Sequence, residues 1–331
     1  MFRMKKWIVS GLAAAAMLVG AGQFAKAQLS GTIAIDGSST VYPITEGVAE
    51  EFRKQQPNVR VTVGISGTGG GFKRFVKGET DISDASRPIK KEEADEAAKN
   101  GIEFIEIPVA YDGLSVVVNP GNTFAKQLTV DQLKKIYLEG GAKTWRDVDP
   151  TWPDQPIKVF SPGTDSGTFD YMREVVTHGN KEAKMRADMQ VSEDDNVLVT
   201  GVAGDTNAIG YFGSAYYFEN KDKLRAVAIV NKAGKPVAPM VESINDGSYN
   251  PLSRPLFIYV NKKSLARPEV KAFVEFYLEE AGDIADEVGY VHLPEEIYDR
   301  AEANVKAGKT GTQFLNEQGK AKEGALADIY K

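Results

Sequence analysis

Short β-branched runs alternate with amphipathic helical patterns along most of this chain, and that alternation constrains its fold more than any other feature. Residues 32–36 form one such run, and they are followed by a helical pattern that places Ile44, Val48 and Phe52 on one face. Residues 59–65 form a second run before the next helical pattern. Strands that alternate with helices in this way are typical of α/β proteins with largely parallel sheets. We therefore predict an α/β fold.

The N-terminus has the pattern of a secretory signal peptide. Arg3, Lys5 and Lys6 precede an apolar run of 14 residues, and the small-residue site Ala25-Lys26-Ala27 follows that run. The apolar run is too short to cross a membrane comfortably. We predict that residues 1–27 are removed by cleavage near Ala27 and that the protein is periplasmic, the alternative being an uncleaved N-terminal anchor.

Composition excludes several classes of function. The 331 residues contain no cysteine, which rules out disulfides, thiol nucleophiles and cysteine-ligated metal sites. The two histidines, His178 and His292, are more than a hundred positions apart, so a histidine-based dyad or metal cluster is not expected. Loss of the four basic residues of the signal peptide lowers the formal charge from -6 to -10, which disfavours nucleic acid as a partner. We expect no enzyme activity, no metal and no cofactor.

Two apolar runs that end in asparagine indicate how the chain is divided. Residues 111–119 and residues 254–261 are similar to each other, and such a pair suits two strands that cross between lobes. The chain is also long enough for about two domains at the usual ~150 residues each. We predict a discontinuous first lobe of residues 28–110 plus 255–331, and a continuous second lobe of residues 111–254.

Three loops rich in glycine and hydroxyl residues each follow a predicted strand and open a predicted helix. These loops are Gly37–Thr40, Ser66–Gly71 and Gly163–Thr168. Unpaired N–H groups at a helix N-terminus favour an anion, glycine allows close backbone approach, and hydroxyls donate further bonds. The alternative is that the Ser or Thr of each loop only caps its own helix. Because the loops come from both predicted lobes, we expect them to meet in one cleft and bind a small anion.

Six motifs together resemble those of the periplasmic phosphate-binding proteins that serve the ABC-type phosphate transporter. They are GSSTVYP (37–43), GISGTGGGFK (64–73), ISDASRPI (82–89), VAYDGLSVVVN (109–119), SPGTDSGTF (161–169) and AIGYFG (208–213). The resemblance implies a two-lobed periplasmic binding protein fold of type II, in which each lobe is a sheet flanked by helices and the ligand lies in the interlobe cleft. It also implies delivery of inorganic phosphate to a membrane permease, and we expect a monomer.

Carried over motif by motif, the resemblance implies phosphate ligands on all three loops: Ser39 and Thr40, then Ser66, Gly67 and Thr68, then Ser166, Gly167 and Thr168. This chain departs from the best-known branch of the family at two places. An arginine shortly before the third loop is replaced by Pro162, and an aspartate is replaced by Ser86. We infer that Arg87 takes the cationic role with Ser86 as a donor, so that Arg87→Ala weakens phosphate binding at least about tenfold.

A carboxylate is compatible with such a site. Phosphate keeps a proton near neutral pH, so an ionised aspartate accepts a hydrogen bond from phosphate and repels proton-free sulfate. Asp165 is the first candidate because it lies within the third loop, and the alternatives are Asp36, Asp84 and Asp112. Three other functions stay open: a receptor for sulfate, molybdate or a phosphonate, a secreted phosphatase or hydrolase that uses Ser166, and a signalling or adhesion module on the same fold.

Overall fold

The structure is a computed structural model that describes residues 28–164, 166–178, 180, 182–322 and 324–331. The predicted signal peptide and Asp165 therefore lie outside the described residues. Within the described ranges, no helix is both long enough and apolar enough to cross a membrane.

The described residues form twelve strands: β1 (Gly31–Gly37), β2 (Val59–Ile65), β3 (Ile82–Ala85), β4 (Phe104–Val118), β5 (Gln127–Leu128), β6 (Lys158–Pro162), β7 (Gln190–Ser192), β8 (Ala208–Gly213), β9 (Arg225–Ala226), β10 (Ala228–Val230), β11 (Pro236–Val237) and β12 (Ser253–Asn261). They also form twelve α-helices: α1 (Tyr42–Gln55), α2 (Gly67–Phe75), α3 (Lys91–Lys99), α4 (Val130–Tyr137), α5 (Trp145–Val148), α6 (Gly167–Thr177), α7 (Asp195–Ala203), α8 (Ser214–Glu219), α9 (Val241–Asn245), α10 (Pro268–Glu287), α11 (Glu295–Ala307) and α12 (Leu326–Ile329). A short 3₁₀ helix occupies Ser264–Ala266.

One mixed sheet runs through the molecule in the order β2-β1-β3-β12-β4-β8-β6-β7, with β9 also paired to β4. Strands β1, β2 and β3 are parallel to one another on one side, and β6, β7 and β8 are parallel on the other. Each group carries flanking helices, which is the two-lobed α/β architecture that the sequence predicts. Strands β5, β10 and β11 form a separate small sheet.

The long strand β4 connects the two groups of parallel strands. All 15 of its residues are buried. Its first part, Phe104–Gly113, pairs antiparallel with β12, and its last part, Leu114–Val118, pairs antiparallel with β8. The two apolar runs that end in asparagine therefore lie in β4 and β12, side by side at the centre of the sheet.

Helix α1 buries the apolar face that the sequence predicts for it. Ile44, Val48 and Phe52 are all buried. The Phe52 ring meets the Phe273 ring of α10 edge to face, with 5.3 Å between their centroids. Aromatic pairs with this geometry contribute about 1 kcal/mol beyond the area that they bury. This contact joins α1 to α10, which are more than 200 residues apart in the sequence.

The parallel strands place the predicted loops at facing edges of the two lobes. The loops after β1, β2 and β3 lie at the carboxyl ends of the first group, and the loop after β6 lies at the carboxyl end of the second, where α/β sheets usually bind ligands. Gly71 allows the first two loops to approach, because a Cβ at this position would lie 2.6 Å from the Cα of Gly37. A side chain there would separate α2 from β1.

Candidate functional site

The first and third predicted loops touch across the lobes. Thr40 is buried at the end of the first loop, and its Oγ1 faces Gly167 at the start of α6. A Cβ on Gly167 would lie 2.9 Å from Thr40 Oγ1 and 3.2 Å from Thr40 Cα. Ser39 is half-buried beside Thr40. The two lobes therefore meet at the N-terminus of an eleven-residue helix, whose free N–H groups favour an anion.

Gly167→Ala tests this contact between the lobes. The added methyl group is too close to Thr40 for the lobes to reach the same closed position, so we expect the phosphate dissociation constant to rise about tenfold, the effect of an overpacked contact. Calorimetry measures the affinity, and small-angle scattering with phosphate should show a less compact particle than the wild type.

Gly282→Ala is the matched control for this substitution. Gly282 lies in α10, where an added Cβ makes only ordinary contacts of 3.5 Å or more with Tyr298 and His292. We expect its phosphate affinity to stay within about twofold of the wild type, because nothing in the cleft changes. If Gly167→Ala binds phosphate as tightly as the wild type, the close contact between Gly167 and Thr40 is not needed for affinity, and the prediction is wrong.

The second loop is joined to the end of β3. Thr68 Oγ1 accepts a bond from the Ser86 backbone N–H at 3.1 Å, and it bonds the Ser86 hydroxyl at 3.1 Å. Ser66 occupies the N-cap position of α2 without a side-chain cap bond and is exposed, while Gly67 has a φ of +72°. The structure thus brings Thr68 and Ser86 together, whereas Ser66 is exposed at the start of α2.

In the third loop a serine caps its own helix, which is the alternative to anion binding that the sequence left open. Ser166 is the N-cap of α6, and its Oγ accepts a bond from the Thr168 backbone N–H at 3.2 Å. Ser166, Gly167 and Thr168 are all half-buried. A capping hydroxyl that accepts one bond can still donate its own proton, so capping does not prevent an anion from binding there.

Arg87 has a protein partner. Its Nη1 and Nη2 donate to the two carboxylate oxygens of Glu93 at 2.9 and 2.8 Å, and Nη1 also donates to the Pro88 carbonyl at 3.1 Å. The guanidinium lies over the Phe72 ring at 5.3 Å from its centroid. An anion that binds Arg87 would therefore have to displace Glu93 from this guanidinium or share it with Glu93.

Arg254 is the largely buried cation of the cleft, and in the sequence it is marked only as the first residue of a predicted crossing strand. It lies in β12 with 14% of its side chain exposed. Its Nε and Nη2 donate to Asp112 Oδ2 at 3.2 and 3.1 Å, and Nη2 also donates to Thr40 Oγ1 at 3.2 Å. Its Nη1 donates to Glu174 Oε2 at 3.0 Å, and its guanidinium lies 3.8 Å from the Tyr171 ring centroid. The signal available in the sequence is a single arginine at the start of an apolar run.

Asp112 is the carboxylate that belongs to this arginine. It is 1% exposed, and within the described part of the chain its Oδ1 has no hydrogen-bond partner. Burial raises the pKa of Asp112, while the charge of Arg254 opposes that rise. Burial alone would lower the pKa of Arg254, but Asp112, Tyr171 and Glu174 together outweigh this effect, and the net change in that pKa is upward. The pair therefore offers an anion one shared cation and one unpaired buried acceptor atom.

The other two described candidate carboxylates have different surroundings. Asp36 is buried and ion-paired to Arg74 at 2.5 Å. Asp84 is fully buried, and burial together with the charge of Asp36 raises the pKa of Asp84 to about 8. At neutral pH Asp84 is therefore mainly protonated, and a protonated carboxyl group is a poor acceptor for a phosphate proton.

A cavity of about 200 Å³ opens beside Arg254. It is lined by Thr68, Ser86, Arg87, Pro88, Tyr171, Glu174, Arg254 and Pro255. The described residues contain no group of three or more metal-ligating acidic or histidine side chains. The cavity presents the side chains of Thr68, Ser86 and Arg254, and Asp112 is bonded to the guanidinium of Arg254, a combination that suits a small oxyanion.

Comparisons with known proteins were made by sequence and by structure. Residues 22–281 match the family model described as a PBP superfamily domain. The chain is 49% identical over 302 residues to Protein SphX of Synechococcus elongatus, which covers 90% of this chain and 88% of that protein. It is 44% identical over 303 residues to the phosphate-binding protein PstS of Staphylococcus saprophyticus, which covers 89% of this chain and 92% of that protein.

The comparison with solved structures also finds similarity to a phosphate-binding protein. The crystal structure of a possible phosphate binding protein from Planctomyces limnophilus superposes with a TM-score of 0.82 at 46% sequence identity. The alignment covers 85% of this chain and 99% of that one. The similarity therefore extends over most of this chain and nearly all of that one.

Proposed function

The chain belongs to the PBP superfamily and, within it, to the family of the PstS phosphate-binding proteins, and on that premise we propose that it binds inorganic phosphate and delivers it to an ABC-type phosphate permease. It acts as a binding protein and not as an enzyme. The resemblance recognised in the six sequence motifs is thus confirmed as a family relationship.

The observation that carries this proposal is the junction at Arg254. A guanidinium that is largely out of solvent donates at once to a carboxylate of the crossing strand and to the hydroxyl of the first loop. Charge-assisted hydrogen bonds contribute about 1.5 to 3 kcal/mol each, so a few of them around one anion account for micromolar affinity. Long-range attraction does not help, because the chain carries a net negative charge.

We assign the ligand groups as follows. Ser39, Thr40 and Thr68 supply donors from the first lobe, together with the Ser86 hydroxyl and the backbone of Ser66 and Gly67. The second lobe supplies the N-terminus of α6, with Ser166, Gly167 and Thr168. Arg254 takes the cationic role instead of Arg87, because Arg254 is more buried and contacts Thr40 directly.

Asp112 is our choice for the acceptor of the phosphate proton. The sequence favours Asp165, which lies outside the described residues, and leaves Asp36, Asp84 and Asp112 as alternatives. Of the described three, Asp112 is the one held by the cation that contacts Thr40. Its unpaired Oδ1 would accept the proton of phosphate, whereas proton-free sulfate would leave two negative atoms facing each other.

The wider setting follows from the same family relationship. We propose that residues 1–27 direct export, that the protein works in the periplasm or outside the membrane as a monomer, and that its partner is the membrane permease. We also propose that the lobes are residues 28–110 plus 255–331 and residues 111–254, since β4 and β12 form the crossing strands between the paired groups of the sheet.

Titration calorimetry tests the function directly. Residues 28–331, freed of bound ligand by unfolding and refolding, are titrated with phosphate and, separately, with sulfate. We expect one phosphate per chain at a micromolar or lower dissociation constant and no heat from sulfate. Equal binding of both ions would remove the carboxylate argument and favour a general oxyanion receptor, and binding of neither would refute the proposed function.

A further inference from the structure

Glu174 places a second carboxylate on the arginine of the cleft. It lies in α6, one turn after Tyr171, and its Oε2 accepts a bond from Arg254 Nη1 at 3.0 Å. The side chain of Glu174 is 62% exposed, whereas that of Arg254 is 14% exposed. Glu174 therefore reaches from solvent to the outer edge of a largely buried guanidinium.

Glu174 binds the one terminal nitrogen of Arg254 that does not donate to Asp112 or Thr40. Nε and Nη2 are directed to Asp112 and Thr40, so Nη1 is the nitrogen that faces away from these buried partners. Glu174 also lines the cavity of about 200 Å³ together with Thr68 and Ser86, the donors of the first lobe. A phosphate that approaches Arg254 through this cavity must displace Glu174 from Nη1 or share the guanidinium with it.

We propose that Glu174 is an internal competitor for Arg254, which occupies Nη1 when the cleft holds no phosphate and weakens the binding of phosphate when it arrives. This inference rests on the proposed function. It assigns to Glu174 a positioning role, because Glu174 acts on phosphate through its bond to Arg254.

Two physical effects make such a competitor useful to a carrier. When phosphate leaves, a buried guanidinium would lose one of its counter-charges, and a nearby carboxylate that returns to Nη1 lowers that penalty. While phosphate is bound, the same carboxylate repels it and so accelerates its release. Because Glu174 is mostly exposed, water and salt screen its charge, and its effect on affinity is limited to a few-fold.

Glu174→Gln tests the proposal, since the substitution keeps the shape of the side chain and removes its charge. We expect the phosphate dissociation constant to fall about three- to fivefold, mainly through slower dissociation measured by stopped flow. The difference from the wild type should shrink as ionic strength rises. Glu182→Gln, at an exposed glutamate of the same lobe, removes the same charge and is expected to bind phosphate as the wild type does.

A purely structural role of Glu174 predicts the opposite change in phosphate affinity. If Glu174 mainly joins α6 to β12 and stabilises the closed cleft, Glu174→Gln weakens binding. Weaker or unchanged binding, with a wild-type chain that binds phosphate, would overturn the inference and leave the proposed function intact. Tightening of the same size in Glu182→Gln would also overturn it, because the effect would then come from net charge. Failure of the wild-type chain to bind phosphate would overturn both.

Discussion

Arg254→Ala raises the dissociation constant for phosphate at least about hundredfold, because it removes the buried cation of the cleft together with its bonds to Asp112 and Thr40. Truncation also leaves Asp112 without its counter-charge, so we expect the free energy of unfolding to fall by about 3 kcal/mol. Calorimetry with phosphate and thermal unfolding without phosphate measure the two effects separately.

Two further variants separate loss of the cation from loss of the fold. Arg254→Lys keeps the charge and loses the planar fork, so it should fold and still bind phosphate at least about tenfold more weakly. Arg87→Ala is the matched control, because the bidentate partner of Arg87 is Glu93. We expect Arg87→Ala to change affinity less than about threefold. A tenfold loss in Arg87→Ala with little change in Arg254→Lys would restore the cationic role to Arg87.

Asp112→Asn changes the selectivity between phosphate and sulfate. With the amide oxygen on Arg254, the amide N–H₂ occupies the place of the unpaired Oδ1, where it donates a hydrogen bond instead of accepting one. A site whose acceptor atom bonds a ligand proton strongly rejects a ligand that has no such proton. Replacing this acceptor with a donor should therefore lower the ratio of phosphate affinity to sulfate affinity roughly hundredfold. Competition calorimetry with the two ions at neutral pH measures the ratio.

Asp36→Asn is the control for this experiment. Asp36 is likewise a buried aspartate with an arginine partner, Arg74, so its substitution removes a comparable ion pair. We expect Asp36→Asn to lower thermal stability and to keep the preference for phosphate. An unchanged ratio in Asp112→Asn would assign the proton-reading role elsewhere, and Asp165 would then be the next carboxylate to test.

Most of the architecture was predictable because its signals are local. The spacing of Ile44, Val48 and Phe52 gives α1 its buried face whatever the rest of the chain does. The first glycine and hydroxyl loop lies between β1 and α1 as predicted, whereas residues 67–71 and 167–168 of the other two loops already belong to α2 and α6. The resemblance of the six motifs also identified the family correctly.

The cationic group that we propose, Arg254, has no comparable local signal in the sequence. Arg87 lies within the motif at residues 82–89, but the helix that begins four residues later brings Glu93 to its guanidinium. Arg254 follows a cis peptide bond at Asn250-Pro251 and enters β12 among apolar residues, where nothing in the local pattern marks it as a ligand. Its importance depends on partners 142 and 214 positions away.

The sequence by itself therefore determined the α/β fold, the first strands and helices, and the family of this protein. These follow from hydrophobic periodicity and helix termini, which act over a few residues. Only the tertiary structure decided which charges share the cleft. The antiparallel register of β4 and β12 sets Asp112 directly opposite Arg254, and the approach of the lobes brings Thr40 to the same guanidinium. Such contacts depend on strand order and register, which are set by the packing of the whole sheet.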